Sequence, residues 1–319
     1  MRQPTEDGAA HGGYGPGMNV LVGTDASPHR HDAVALGSAL ATALGGDLHV
    51  AHVLPGSANA RVYGADLLVT LRQAGQEILD SAAAGAPDRL TVHTHLLEDD
   101  SPARALHALA VSEQADVLVL GSSHRGRLGR ALLGGTAERV VQGSPCAVAV
   151  APHGYAAPRE LRHIGIAYDA GPESRAALRW ASDVTIALDG SLHVLTVAEP
   201  LNTGLYPSAE VILREDMRTS LLTSRQRDLD QAVGEAPPRA KARGDLLEGV
   251  PSKVLAAAAE DLDLLVLGSR EYGPLGAVFL GGVSHGLLRD APCPVVVLPR
   301  SVSAGDDAAS SEASPPAAA

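Results

Sequence analysis

Aromatic side chains are scarce in this chain of 319 residues, with one Trp, one Phe and six Tyr. Few rings are then available for bases to stack on, which argues against a binder of single-stranded nucleic acid. Positive charge is short as well: 25 Lys and Arg stand against 37 Asp and Glu, a formal net charge of −12. Binding driven by counterion release would need a local basic patch, and the sequence has none, so nucleic acid is not an expected partner. Cysteine occurs only twice, too few for a disulfide scaffold. Each Cys precedes an apolar run and reads as a small buried residue rather than a disulfide partner or metal ligand. No apolar run approaches the roughly 20 residues that cross a bilayer. The opening MRQPTEDGAAHGGYGPG also lacks the charged-then-apolar order of a signal peptide. The expectation is a soluble cytoplasmic protein without a membrane partner.

What the chain does contain is a long internal repeat. ADVLVLGSSHRGRLGRALLGGTAERVVQGSPCAVAVA, residues 115–151, returns as LDLLVLGSREYGPLGAVFLGGVSHGLLRDAPCPVVVL, residues 262–298. Gly121, Gly134, Pro145 and Cys146 recur as Gly268, Gly281, Pro292 and Cys293 at one constant spacing. A fixed offset over several anchor points marks one supersecondary unit present twice. The length suits two domains of about 150 residues each. Their expected bounds are 18–152 and 161–300, joined by a Pro- and Gly-bearing linker at 153–160. Residues 1–17 and 301–319 lack hydrophobic period and are expected to be solvated tails.

Within each copy, short apolar runs alternate with helical patterns. In the first copy, strands are expected at 18–25, 48–54, 90–97, 116–120 and 146–150, with helices between them. One of those helices is expected over 66–84, after a longer loop. In the second copy, strands are expected at 161–168, 192–197, 240–246, 262–267 and 294–298. Near-continuous apolar strands in this alternation predict parallel α/β sheets with helices on both faces. The fifth strand of each copy is an edge that needs covering, and antiparallel pairing of 146–150 with 294–298 would cover it.

In an open parallel sheet the ligand crevice lies beyond the carboxyl ends of the strands, where the winding reverses. This brings Gly23, Thr24 and Asp25 at the end of the first strand toward Gly121 at the end of the fourth. Gly121-Ser122-Ser123-His124-Arg125-Gly126 is then a loop whose amides can face the crevice, and Gly134-Gly135-Thr136 leads into a helix N-terminus that favours anions. A carboxylate at one end and an anion site at the other suits a nucleotide. A P-loop is excluded because Gly126 precedes Arg127 and Gly273 precedes Pro274 where Lys should follow. The dinucleotide fingerprint is excluded because the glycines follow the fourth strand instead of the first.

These residues resemble the universal stress proteins in their tandem two-domain form, over about 18–300. That family's phosphate loop reads Gly, two residues, Gly, nine residues, Gly, then Ser or Thr, and the spacing from Gly121 to Gly134 and from Gly268 to Gly281 matches it. The resemblance implies two five-stranded sheets of order 3-2-1-4-5, an adenine nucleotide α-hydrolase-like fold, and ATP or AMP as ligand, with magnesium left open. It implies that Asp25 and Asp169 contact adenine or ribose and that Val53 and Val197 pack on adenine. Around those glycines the candidate cofactor-binding residues of the first copy are Gly121, Ser122, His124, Arg125, Gly126, Gly134, Gly135 and Thr136. Their counterparts are Gly268, Ser269, Gly273, Gly281, Gly282, Val283 and Ser284. It also implies an internal pseudo-dimer through the fifth strands, and a further homodimer is left open.

The chain departs from the family pattern at four places. His124 and Glu271 replace the second glycine, and Gly135 and Gly282 replace the hydroxyl after the third. Glu271 adds like-charge repulsion toward a triphosphate, so the second copy is expected to be the weaker nucleotide site. Thr136 and Ser284 can restore a hydroxyl. Bland readings stand beside these: Asp25 and Asp169 as helix caps, Arg125 and Arg127 as solvated charges. His93 and His95 share a strand face without a visible third ligand, so no metal is expected. His49 and His52 fall on opposite faces and read as core or rim residues. No nucleophile, base and oxyanion donor assemble, so a non-enzymatic nucleotide-binding regulator is the leading expectation. A nucleotide-free interaction module on the same fold is the alternative. A transferase or synthetase of a related fold is more remote, since its phosphate loop would sit near the first strand, where Asp25-Ala26-Ser27-Pro28 stands.

Overall fold

Apolar strand segments and alanine-rich helical segments alternate along the chain, and a computed structural model describes residues 17–27, 30–125, 131–132, 135–155, 160–200, 210–269 and 281–298. The first half runs β1 (Val20–Thr24), α1 (Arg30–Leu44), β2 (Leu48–Leu54), α2 (Ser57–Ala84), β3 (Val92–Glu98), α3 (Pro102–Ser112) and β4 (Val117–Gly121). A small antiparallel ribbon of β5 (Ser123–Arg125) and β6 (Ala131–Leu132) follows, then α4 (Gly135–Val141) and β7 (Ala147–Ala151). The second half runs β8 (His163–Ala167), α5 (Pro172–Ala187), β9 (Ser191–Ala198), α6 (Glu210–Glu235), β10 (Arg243–Glu248), α7 (Pro251–Ala258), β11 (Leu264–Gly268), α8 (Gly282–Asp290) and β12 (Val295–Leu298).

The sheet order is β10-β9-β8-β11-β12-β7-β4-β1-β2-β3. Each half therefore contributes a parallel set wound 3-2-1-4-5, and its fifth strand runs antiparallel to the other, Val150 opposite Val295 and Val148 opposite Val297. The two halves form one continuous ten-stranded sheet. Alternate residues of each strand point to opposite faces, and both faces are apolar because both are covered. Val20, Val22, Val117, Ile164, Val266 and Val296 face one layer, where α1, α2, α5 and α6 pack. Leu21, Leu118, Val148, Leu265, Leu267 and Val297 face the other, under α3, α4, α7 and α8.

Turns at the ends of α1 and α5 are tightly built. Gly45 takes a left-handed φ of 69° beyond α1, and Asp189 does so beyond α5 at 48°, its carboxylate 3.0 Å from Lys241 Nζ. Next to them, a side chain on Gly46 would begin 1.8 Å from the Met18 carbonyl oxygen, and one on Gly190 would begin 2.5 Å from that of Arg162. Only glycine fits where the chain re-enters the sheet so close to the first strand of its own half.

Three expectations need correction. α2 begins at Ser57 and not near residue 66, its opening turns carried by alanine-rich sequence without a clear apolar stripe. The stretch after β4 is not wholly loop, since β5 and β6 pair there. The third strand of the second half starts at Arg243 because Pro238–Ala240 forms a 3-10 turn closed by Lys241 at a left-handed φ of 49°. Other bounds differ by a residue or two.

Candidate functional site

β1 is drawn into the middle of its half by two parallel neighbours, β2 and β4, and its carboxyl end opens on the reversal between them. Asp25 follows directly. Its Oδ1 accepts a 2.9 Å hydrogen bond from the Ser27 amide, and in the second half Asp169 Oδ1 accepts one of 2.9 Å from Gly171. Both aspartates thus form the same Asx turn, which fixes their direction at the mouth of the crevice. In the second half the N-cap of α5 is Gly171, so Asp169 is not itself the capping residue.

A cleft of about 230 Å³ opens in the first half. Gly23, Thr24 and Asp25 line it from β1, Val53 from β2, Gly121 and Ser122 from the end of β4, and Gly135 and Thr136 from the start of α4. Ser122 is held there by its amide, which donates to the Ala151 carbonyl at 3.0 Å. Gly126 and Gly134 lie outside the described residues, as do the side chains of His124 and Arg125. Three strand ends and a helix start therefore converge on one space, an arrangement that can clamp a small planar-plus-anionic ligand.

Two lining residues escape sequence reading. Arg30, on the first turn of α1, donates from Nη1 to the Ser27 carbonyl at 3.3 Å and brings a guanidinium to the cleft. His52 is buried, and its Nδ1 donates to the Thr24 carbonyl at 3.0 Å, holding the end of β1 in place. That bond puts the proton of the neutral ring on Nδ1 and leaves Nε2 the acceptor. Gly75 of α2 makes room for the ring, since a side chain there would begin 3.1 Å from His52 Cδ2 and 2.7 Å from Leu96. The signal for both residues was the repeat itself: counting on from Asp169, the same places hold Ser174 and Thr196.

The second half holds a larger cleft, of about 550 Å³. Asp169, Val197, Gly268, Gly281, Gly282, Val283 and Ser284 all line it, while Gly273 lies outside the described residues. Ser269 is buried behind the cleft, its amide donating to the Leu298 carbonyl at 3.0 Å. Glu173, Glu199, Tyr168 and Arg225 line it as well. Arg225 Nη1 donates to the Asp169 carbonyl at 3.1 Å, so a cation from α6 here does for the end of β8 what His52 does for β1.

At the far end of the first half, away from both clefts, His49 joins His93 and His95. The register sets His49 opposite His93, the rings stack at 4.8 Å, and His49 Nδ1 lies 3.0 Å from His95 Nε2. Burial pushes His49 and His95 below the ordinary histidine value, with Glu113 pulling the other way. Among the described residues no group of three or more His, Cys, Asp or Glu is arranged to hold a metal ion. The thiols of Cys146 and Cys293 are free and buried, and burial pushes them up to about 11 and about 12. Among the described residues no helix is long and apolar enough to cross a membrane.

Comparison with known proteins gives a consistent picture. The model of the universal stress protein family matches residues 18–152 and again 160–299. A universal stress protein of Mycobacterium tuberculosis is 29% identical over 219 residues, spanning 66% of this chain and 74% of its own. Another from the same organism is 26% identical over 293 residues, 87% of this chain and 96% of its own. The crystal structure of a universal stress protein from Archaeoglobus fulgidus superposes with a TM-score of 0.64 at 19% identity, covering 89% of this chain and 97% of that one.

Proposed function

Because the chain belongs to the universal stress protein family, we propose that it is an adenine-nucleotide-binding regulatory protein of the stress response, with the first cleft as its ATP or AMP site. In this reading residues 18–152 and 161–300 are the two domains. Asp25 takes the ribose or adenine edge, Val53 backs the ring, and the amides around Gly121, Gly135 and Thr136 face the phosphates, which carry any Mg²⁺ with them. The observation that carries the reading is the convergence of Asp25, Gly121 and Gly135 on one cleft. Arg30 supports it by bringing positive charge to the same space.

We read the site as one for binding rather than turnover. His52, which lines the first cleft, spends its Nδ1 proton on a backbone carbonyl, which suits a structural part. Regulation then follows from occupancy: a ligand that binds the folded cleft stabilises the conformation it fills. The test is the nucleotide that travels with the protein. Perchloric-acid supernatants of freshly purified chain are expected to contain adenine nucleotide, and added ATP is expected to raise the melting temperature. Nucleotide-free protein that shows no calorimetric response to ATP would favour the interaction-module alternative.

A further inference from the structure

On the side of α1 turned away from the sheet lies a groove that neither cleft shares. Ala33, Leu36, Leu40, Ala41 and Leu44 seat the helix on the sheet. Ala35, Ser38, Ala39, Thr42 and Ala43, at helical spacing on its other side, floor a cavity of about 610 Å³. Ala86 and Arg89, between α2 and β3, wall it from the same half, and Leu161, Arg162 and Leu188 wall it from the other. The groove therefore sits at the junction of the two halves. From Ala33 to Leu44 the helix has no charged residue, whereas the corresponding stretch of α5 carries Arg179 and Asp183. A helix without a charged face calls for a cover on its outer side as well as its inner one.

Hydroxyls elsewhere in these helices satisfy themselves. Ser182 Oγ donates to the Leu178 carbonyl at 2.7 Å, Thr185 Oγ1 to Ala181 at 2.6 Å and Thr223 Oγ1 to Thr219 at 2.7 Å. Ser38 has in α1 the place of Ser182 in α5, yet it is only 6% exposed and its Oγ has no hydrogen-bond partner among the described residues. The same holds for the buried Oγ1 of Thr42, one turn further on. Burying a hydroxyl without a partner is costly, and two of them on one helix face mark a place for an acceptor. Side chains four residues apart on a helix stand about 5–6 Å from each other, a gap that the two oxygens of one carboxylate can bridge. Arg162 Nε is tied to Glu160 Oε2 at 2.7 Å, so the lining cation that can turn to such an anion is Arg89, exposed at the rim.

We infer that the groove is a binding site for an aliphatic monocarboxylate. The carboxylate accepts from Ser38 and Thr42 and pairs with Arg89, while the chain lies along Ala35, Ala39, Leu161 and Leu188. Ala35 to Ala43 covers about 12 Å of helix, which suits a chain of medium length. Because both halves supply walls, a ligand here stabilises their junction. The site stands apart from both clefts and does not depend on what they bind.

Octanoate is the probe, titrated into the full chain with isotopically labelled alanine methyl groups and read by NMR. Saturable shifts are expected at Ala35, Ala39 and Ala43, with octanamide, the neutral analogue, binding more weakly. Ser38→Ala combined with Thr42→Val removes both hydroxyls at nearly constant volume. It is expected to weaken octanoate by about tenfold and to leave the melting temperature unchanged or higher, since no hydrogen bond within the protein is lost. Arg89→Gln is expected to weaken octanoate by about fivefold. Absence of saturable shifts at these methyls, or undiminished affinity in the variant lacking both hydroxyls, would overturn the inference. Residues 1–16 enter the fold at Gly17, whose amide donates to the Leu44 carbonyl at the end of α1 at 3.0 Å, so their removal tests the other occupant. Unchanged octanoate affinity is expected. A gain of about tenfold would instead make the groove the seat of the chain's own N-terminal segment and overturn the proposal.

Discussion

A single aspartate sets the geometry of each cleft, and a single thiol shows how little chemistry the rest of the core carries. Asp25 and Asp169 make the same turn with the same 2.9 Å bond, so each presents its carboxylate at the crevice in a fixed direction. Their place at strand ends was legible because an apolar run stops at Gly-Thr-Asp in the first copy and at Tyr-Asp in the second. Arg30 and His52 were not legible within one copy, since one is a polar residue in a helix start and the other one of two histidines in an apolar strand, and only the second copy's Ser174 and Thr196 set them apart. Neither pattern distinguishes a lining residue from a structural one. The two cysteines read correctly as small buried residues, and burial holds their thiols well above the usual range. Native protein is expected to leave both thiols unreactive toward Ellman's reagent at pH 8 and to release two equivalents after denaturation. Rapid native labelling of either would contradict the packing of β7 and β12.

At the scale of elements, the sheet was readable because buried parallel strands are near-continuous apolar runs. The ribbon β5–β6 was not, since Ser123-His124-Arg125 has neither the length nor the hydrophobicity of a core strand. The opening of α2 was hidden for a related reason: its helicity comes from alanine propensity and not from an apolar stripe. The clearest mutational handle is the helix-to-strand turn. Gly46→Ala sets a methyl carbon against the backbone of Met18, and Gly190→Ala does so against Arg162. Backbone cannot give way as a side chain tip can, so each change is expected to destabilise by about 1–3 kcal/mol or more in urea melts. A loss below that range would mean that the turn can open at little cost.

The edge pair β2–β3 carries its own pH dependence. His49 and His95 have native values held below 6.5, first by burial and then by neighbouring histidines, so the unfolded chain binds protons more readily. Their contribution to stability is present above that ordinary value and is lost as pH falls through the depressed native values. His49→Gln with His95→Gln is expected to flatten the stability profile between about pH 6.5 and pH 5, read by urea midpoint. An unchanged slope would remove the cluster from the acid response.

Over the whole molecule, repetition in the sequence becomes continuity in the structure. β7 and β12 sit in the middle of a ten-stranded sheet, and each of the two core layers draws buried residues from both halves. The constant spacing of the repeat made two copies legible, and the exposed fifth strand suggested how they would meet. What spacing alone does not give is how differently two copies of one frame can be furnished: Arg30 against Ser174, His52 against Thr196. With the seam at the sheet's centre, the halves are expected to unfold together. Differential scanning calorimetry should give one transition with calorimetric and van't Hoff enthalpies in agreement. Two well-separated transitions would show that the seam does not couple them.

The claim on which the functional account turns is that the end of β1 and the glycine-rich turn after β4 hold a nucleotide between them. Crystals of the full chain soaked with a non-hydrolysable ATP analogue test it most directly. The account predicts density in the first cleft, with the base against Val53, the ribose beside Asp25 and the phosphates over Gly121 and Gly135. A fully diffracting, analogue-soaked crystal with that cleft empty, or with the analogue bound away from Asp25, would contradict it.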